Sequence, residues 1–210
     1  MRKTSIALAA FAALTLLVGT ASAQVWPHPG EDLLGIYSTN DGAGFANFDI
    51  TGGSKTIYLI ATRTTGSGGI SGWECHLTGD WDSNANIFFG GETLSGQALN
   101  VSAFPDYSVG LGTSLPPDGN GNIVLAAWTF IFFAEEVMEL FLGPANQPSH
   151  PGTPVYAAGD NPGDLRDFEV SSGDINNACF GFNTGPLPHT IYPTIPVTQE
   201  TFGGVKNLYR

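Results

Sequence analysis

Gly72-Trp-Glu-Cys-His-Leu-Thr78 places Trp73, Cys75 and Leu77 at alternate positions, with Glu74, His76 and Thr78 between them. A period of two sends successive side chains to opposite faces of an extended chain, so this stretch predicts a strand with one buried and one wet face. Working outward, Thr56-Ile-Tyr-Leu-Ile-Ala-Thr62 reads as a buried strand, joined to the first by the Gly/Ser-rich turn Thr65–Gly69. The apolar run Ile123–Phe133 is rich in β-branched and aromatic residues and predicts a central strand covered on both faces. Before it stands Pro116-Pro-Asp-Gly-Asn-Gly-Asn122, in which Asp-Gly and Asn-Gly supply positive φ at low cost.

Shorter strands are expected at Asn86–Phe89, Ala98–Ser102, Tyr107–Leu111, Arg166–Val170 and Ala178–Phe182. Val137–Leu142 reads as a partner strand, with a helical turn over Ala134–Leu142 as the alternative. The Pro- and Gly-rich stretch Gly143–Asp164 reads as one long loop, and Pro186, Pro188, Pro193 and Pro196 predict an extended C-terminal section. With 28 Gly and 14 Pro in 210 residues, no helix-length amphipathic pattern runs uninterrupted. The expected class is all-β: a single antiparallel β-sandwich, a jelly roll, with a Pro-rich C-terminal extension.

Arg2 and Lys3, the apolar run Ile6–Val18 and the small-residue site Ala21-Ser-Ala23 have the form of a secretory signal peptide over residues 1–23. The apolar run is shorter than the roughly 20 residues of a membrane span. The mature chain is then expected at 24–210, as one domain without a membrane span, secreted to a periplasmic or extracellular location, cell-surface association included. Its 187 residues could bury roughly 70% of the unfolded surface in one core. Cleavage removes two positive charges and moves the formal charge from −12 to −14. Five remaining basic residues cannot form the patch that displaces counterions from a phosphate backbone, which excludes nucleic acid as a partner. Cys75 and Cys179 are the only cysteines, and an oxidising compartment predicts a disulfide between them. It would close a loop of about 100 residues, worth up to about 4–5 kcal/mol in the chain-entropy view.

Gly69-Ile-Ser-Gly72 leading into Trp73–Leu77, followed later by Val124-Leu-Ala-Ala-Trp-Thr-Phe130 and Val137–Leu142, resembles the cohesin-type β-sandwich and its carbohydrate-binding-module relatives. The resemblance spans roughly residues 55–142. It implies a non-catalytic secreted jelly roll used for protein docking or polysaccharide attachment. The chain departs from the family in its Pro-rich C-terminal section, and no partner-contact residue is carried over.

Asp80-Trp-Asp-Ser-Asn-Ala-Asn86 carries oxygen side chains at Asp80, Asp82, Asn84 and Asn86, a spacing that suits a hard cation such as calcium. It lacks the Gly at the sixth position and the Glu at the twelfth that an EF-type loop requires; Ala85 and Gly91 stand there. Trp81 within this loop is a candidate platform for a sugar ring, with Asp80 and Asp82 as polar flanks. Among the other tryptophans, Trp73 and Trp128 read as core. His28, His76, His150 and His189 are too scattered for a zinc motif, and no G-x-S-x-G nucleophile elbow occurs. The reading that follows is a secreted, non-catalytic binding or surface-structural module for an extracellular protein or polysaccharide. Its alternatives are a carbohydrate-binding module centred on Trp81, and a glycan hydrolase drawing a carboxyl pair from Glu74, Asp80, Asp82 and Glu92.

Overall fold

In the computed structural model, which describes residues 30–42, 46–185 and Leu187, alternation and turn chemistry resolve into thirteen strands. They are β1 (Leu33–Tyr37), β2 (Asn47–Phe48), β3 (Gly53–Thr62), β4 (Ile70–Thr78), β5 (Ile87–Leu94), β6 (Ala98–Asn100), β7 (Asp106–Leu115), β8 (Asn122–Phe132), β9 (Met138–Gly143), β10 (Val155–Ala158), β11 (Leu165–Asp167), β12 (Glu169–Val170) and β13 (Phe180–Phe182). One sheet runs β12-β1-β3-β8-β5. The other runs β11-β10-β4-β9-β13-β2, with β7 also paired to β4 and β6 to β7.

The two sheets close over one core. Ile57, Leu59, Leu125, Trp128, Phe130 and Phe132 from the first meet Trp73, Cys75, Leu77, Tyr107, Leu140 and Phe182 from the second. The expected alternation at β4 holds: Trp73, Cys75 and Leu77 are buried, while Glu74 and His76 are half-buried on the outer face. Aromatic contacts bridge the layers. Tyr107 lies 5.2 Å from Trp73 and 5.7 Å from Trp128, and its hydroxyl donates to Glu92 of β5 at 2.5 Å.

Several expectations change. The sheets are mixed, because β1 pairs with β12 and β2 with β13 in parallel. The run ending in Phe133 is central but covered fully on one face only: Val124, Ala127, Thr129 and Ile131 alternate as half-buried residues with a fully buried set. The partner register skips Leu125, a bulge that explains why Leu125 and Ala126 are both buried. Arg166–Val170 is not one strand. It breaks at buried Phe168, whose amide donates to Pro154, and its halves β11 and β12 join opposite sheets. The expected long loop after β9 contains β10, which pairs with β4 and β11. Asp118 caps its turn by accepting from the amides of Asn120 and Asn122, but the turn passes the chain from β7 in one sheet to β8 in the other and joins no hairpin. Residues 1–29 and 188–210, with the expected signal peptide, Trp26, His28, His189 and most of the Pro-rich section, lie outside the described residues.

The expected Cys75–Cys179 bridge is not formed; both thiols are free and fully buried. Cys75 is on β4 and Cys179 immediately precedes β13, while β9 runs between those two strands. Two strand spacings amount to about 10 Å, beyond the roughly 7 Å Cα separation that a disulfide can span. Burial raises both thiol pKa values and keeps the sulfurs protonated. Unfolding the protein under non-reducing conditions in the presence of a thiol reagent should therefore label two thiols per chain; zero labelled thiols would reinstate the bridge.

Burial also raises the pKa of Tyr37, Tyr107 and Tyr156, the last pushed up to about 12, and the carboxylates of Glu92 and Asp32 add to the effect at Tyr107 and Tyr156. The folded state holds these protons when the unfolded chain, with an ordinary tyrosine pKa of about 10, has released them. The unfolded state then binds fewer protons, so stability falls as pH rises. The two buried thiols act the same way from an ordinary cysteine pKa of about 8.5, so denaturation midpoints should begin to fall above about pH 8 and drop more steeply above about pH 10.

Candidate functional site

The outer face of the second sheet carries a row of paired residues across five strands. Leu99 of β6 is paired with Gly110 of β7, Gly110 with Gly72 of β4, Gly72 with Ala157 of β10, and Ala157 with Leu165 of β11. Alternation turns all five outward. The three central residues have almost no side chain, whereas Leu99 is 68% exposed and Leu165 38% exposed at the two ends. The result is a trough of about 320 Å³ floored by Gly72, Gly110 and Ala157 and flanked by Leu165 and by Val101, itself 75% exposed. The floor is closed to larger residues at Gly72, where an added Cβ would approach the Val109 carbonyl oxygen to 2.9 Å.

The neighbouring row places Glu74 at the rim, and its carboxylate is already satisfied. Oε2 accepts from the Ser149 amide at 2.8 Å, and Oε1 from the Ser149 hydroxyl at 2.8 Å and the Ser108 hydroxyl at 3.3 Å. Two more carboxylates hold the same strap, residues 144–154. Asp106 accepts from the Asn146 amide at 2.9 Å and pairs with His76 at 3.1 Å, while Asp167 pairs with His150 at 2.8 Å. The strap is thus fastened along the outer face at three points beside the trough.

The acidic loop takes a different role from the one its spacing suggested. Trp81 is only 8% exposed and packs against Phe104 at 5.7 Å and Phe130 at 5.6 Å, so it is a core anchor and offers no platform to a sugar. Its burial follows from Gly79: an added Cβ there would lie 2.4 Å from the Trp81 ring and 2.8 Å from Leu140, and only glycine lets the indole fold beneath the chain. Two of the four expected calcium ligands are also engaged. Asn84 Oδ1 accepts from the Asn86 amide at 2.9 Å, and the side-chain amides of Asn84 and Asn86 donate to Glu136 at 3.3 and 2.6 Å. Asp80 and Asp82 remain at the exposed surface. Among the described residues, no group of three or more His, Cys, Asp or Glu side chains is arranged to hold a metal ion, and the loop's two asparagines are occupied by protein partners.

The carboxylates considered for hydrolysis are dispersed by the fold. Glu74 fastens the strap on the outer face of one sheet, and Glu92 accepts from the core residue Tyr107 at the edge of the other. The trough itself escaped the sequence reading because its marks are glycines and an alanine on separate strands. The available signal was Gly110 and Gly112 on either side of Leu111, weak until the register sets Gly110 beside Gly72.

No protein-family model matches the sequence, and no curated protein matches it at a significant level. Among solved structures, a cohesin module of a family 33 glycoside hydrolase from Clostridium perfringens is similar at 12% identity and a TM-score of 0.41, over 65% of this chain and 90% of that one. A non-cellulosomal cohesin from the hyperthermophilic archaeon Archaeoglobus fulgidus is similar at 10% identity and a TM-score of 0.35, over 72% of this chain and 86% of that one. The likeness is one of fold, and no residue role is taken from it.

Because Trp81 is a core anchor, Trp81→Ala should cost roughly 3–5 kcal/mol. That corresponds to a melting temperature lowered by about 6–20 °C for a domain of this size. An unchanged melting temperature would return Trp81 to the surface.

Proposed function

We propose that the chain is a secreted, non-catalytic binding module that docks another extracellular protein through the trough on its second sheet. The observation that carries this reading is the trough itself: exposed Val101 and Leu165 flank a floor of Gly110, Gly72 and Ala157 with almost no side chain, into which a partner's apolar side chains can insert. Glu74 at the rim already has its donors, so burying it beneath a partner leaves no new unpaired charge.

Charge favours a different protein over a second copy. The chain is formally −12, and Glu74, Asp106 and Asp167 line the strap beside the trough, so two such faces repel. A partner with an apolar centre and a Lys- or Arg-bearing rim answers both features. The secretory form of residues 1–23 supports an extracellular setting for that encounter.

The test is capture by residues 24–210 from the source organism's secreted and cell-surface fraction, comparing wild type with the double variant Val101→Asp, Leu165→Asp. Both side chains are exposed, so the variant should keep its melting temperature to within about 2 °C. A protein held by wild type and lost with the variant is the expected outcome, with binding that weakens in high salt if the rim charges contribute. Capture that survives the double substitution, or recovery of nothing but polysaccharide, removes the trough from this role.

A further inference from the structure

A second concave site lies on the same outer face, at the far end of β4. Thr78, Gly79, Asp80, Val137, Glu139 and Phe141 line a shallow, open concavity of about 430 Å³, a volume within the range of small-ligand sites. Thr78 is six residues beyond Gly72 along β4, about 20 Å from the trough. We propose that this site binds a saccharide ring, with Phe141 as its apolar surface and Asp80, Glu139 and Thr78 as its hydrogen-bonding groups.

The placement follows from the fold. Phe141 and Thr78 are direct cross-strand partners, and Glu139 stands two residues along β9 on the same outward face. Asp80 is delivered by the loop that Trp81 anchors beneath Gly79. Phe141 is half-buried and Val137 is 57% exposed, so the apolar side of the site is open to solvent. None of the described cations lines the site: Lys55 lies over Phe48, 3.8 Å from the ring centroid, and Arg166 pairs with Asp164 at 2.8 Å.

The chemistry selects the ligand. An ionised carboxylate accepts and cannot donate, so two carboxylates beside one hydroxyl require a ligand that brings several donors. A hard cation would require six to eight oxygens, more than these three side chains supply. A sugar ring brings hydroxyl donors around its edge and C–H groups on its face, which match the carboxylates and the Phe141 ring respectively.

The test is calorimetric titration of the full chain with cello-, xylo-, manno-, galacto- and chito-oligosaccharides and with a lysine-containing peptide as the amine probe. At least one oligosaccharide should bind, Phe141→Ala should weaken it about tenfold, and Glu139→Gln and Asp80→Asn should each weaken it several-fold. Phe88→Ala, which removes an exposed aromatic from the other sheet, should leave the affinity unchanged. Glu139→Gln preserves shape, so the test holds even if Phe141→Ala disturbs β9. The proposal is overturned if no oligosaccharide binds at up to about 10 mM. It is equally overturned if only the peptide binds, or if sugar binding ignores the substitutions at 139 and 141.

Discussion

Tyr107 is the point at which the two sheets become one structure. Its ring lies beside Trp73 of its own sheet and Trp128 of the opposite one, and its hydroxyl reaches Glu92 on the edge strand β5. Each ring removes a large apolar area from water, while the phenol's polar end finds a carboxylate at the sandwich margin rather than being left unpaired. The same bond gives inward-pointing Glu92 a partner. A charged residue aimed inward on an edge strand also discourages pairing with another chain. Closing the layers over this contact fixes which faces of β4, β7 and β9 look inward, and therefore which residues remain outside.

Everything proposed about binding lies on that outer face. Gly72 and Gly110 can floor a trough because the inward neighbours Trp73 and Val109 supply the packing of those strands. The carboxylates of Glu74, Asp106 and Asp167 then hold residues 144–154 against the face through hydrogen bonds to main chain and side chain. A strap with few apolar anchors stays ordered this way, since each backbone donor it turns toward the sheet meets a charged acceptor. At the other end of β4 a loop is held by one buried group instead: Trp81 beneath Gly79 places Asp80 beside Phe141.

The division between core and surface also explains where Trp81 and the loop around it are placed. Trp81 in an acidic loop resembles an exposed aromatic when only its neighbours in sequence are considered, yet Gly79 opens the space that admits it to the core. The calcium-like spacing from Asp80 to Asn86 is the spacing of a tight turn, and its asparagines turn to the backbone and to Glu136, fifty residues away in sequence. Side chains of Asn and Asp serve both purposes with the same atoms, so spacing alone does not separate them.

The sequence by itself determined the class and most of the strands, because period-two burial and Gly/Pro punctuation are local properties: β3, β4, β8 and β9 all lie where alternation or apolar runs put them. It also determined the acidity of the chain, formally −12. Tertiary structure decided what depends on register between distant strands. The trough needs Gly110, Gly72, Ala157 and Leu165 aligned across four strands, and the site at Phe141 needs β9 beside the end of β4. The separation of the two thiols is set by β9 running between β4 and β13. A local pattern says which way a side chain points from its own strand; only the order of strands in the sheet says what it stands beside.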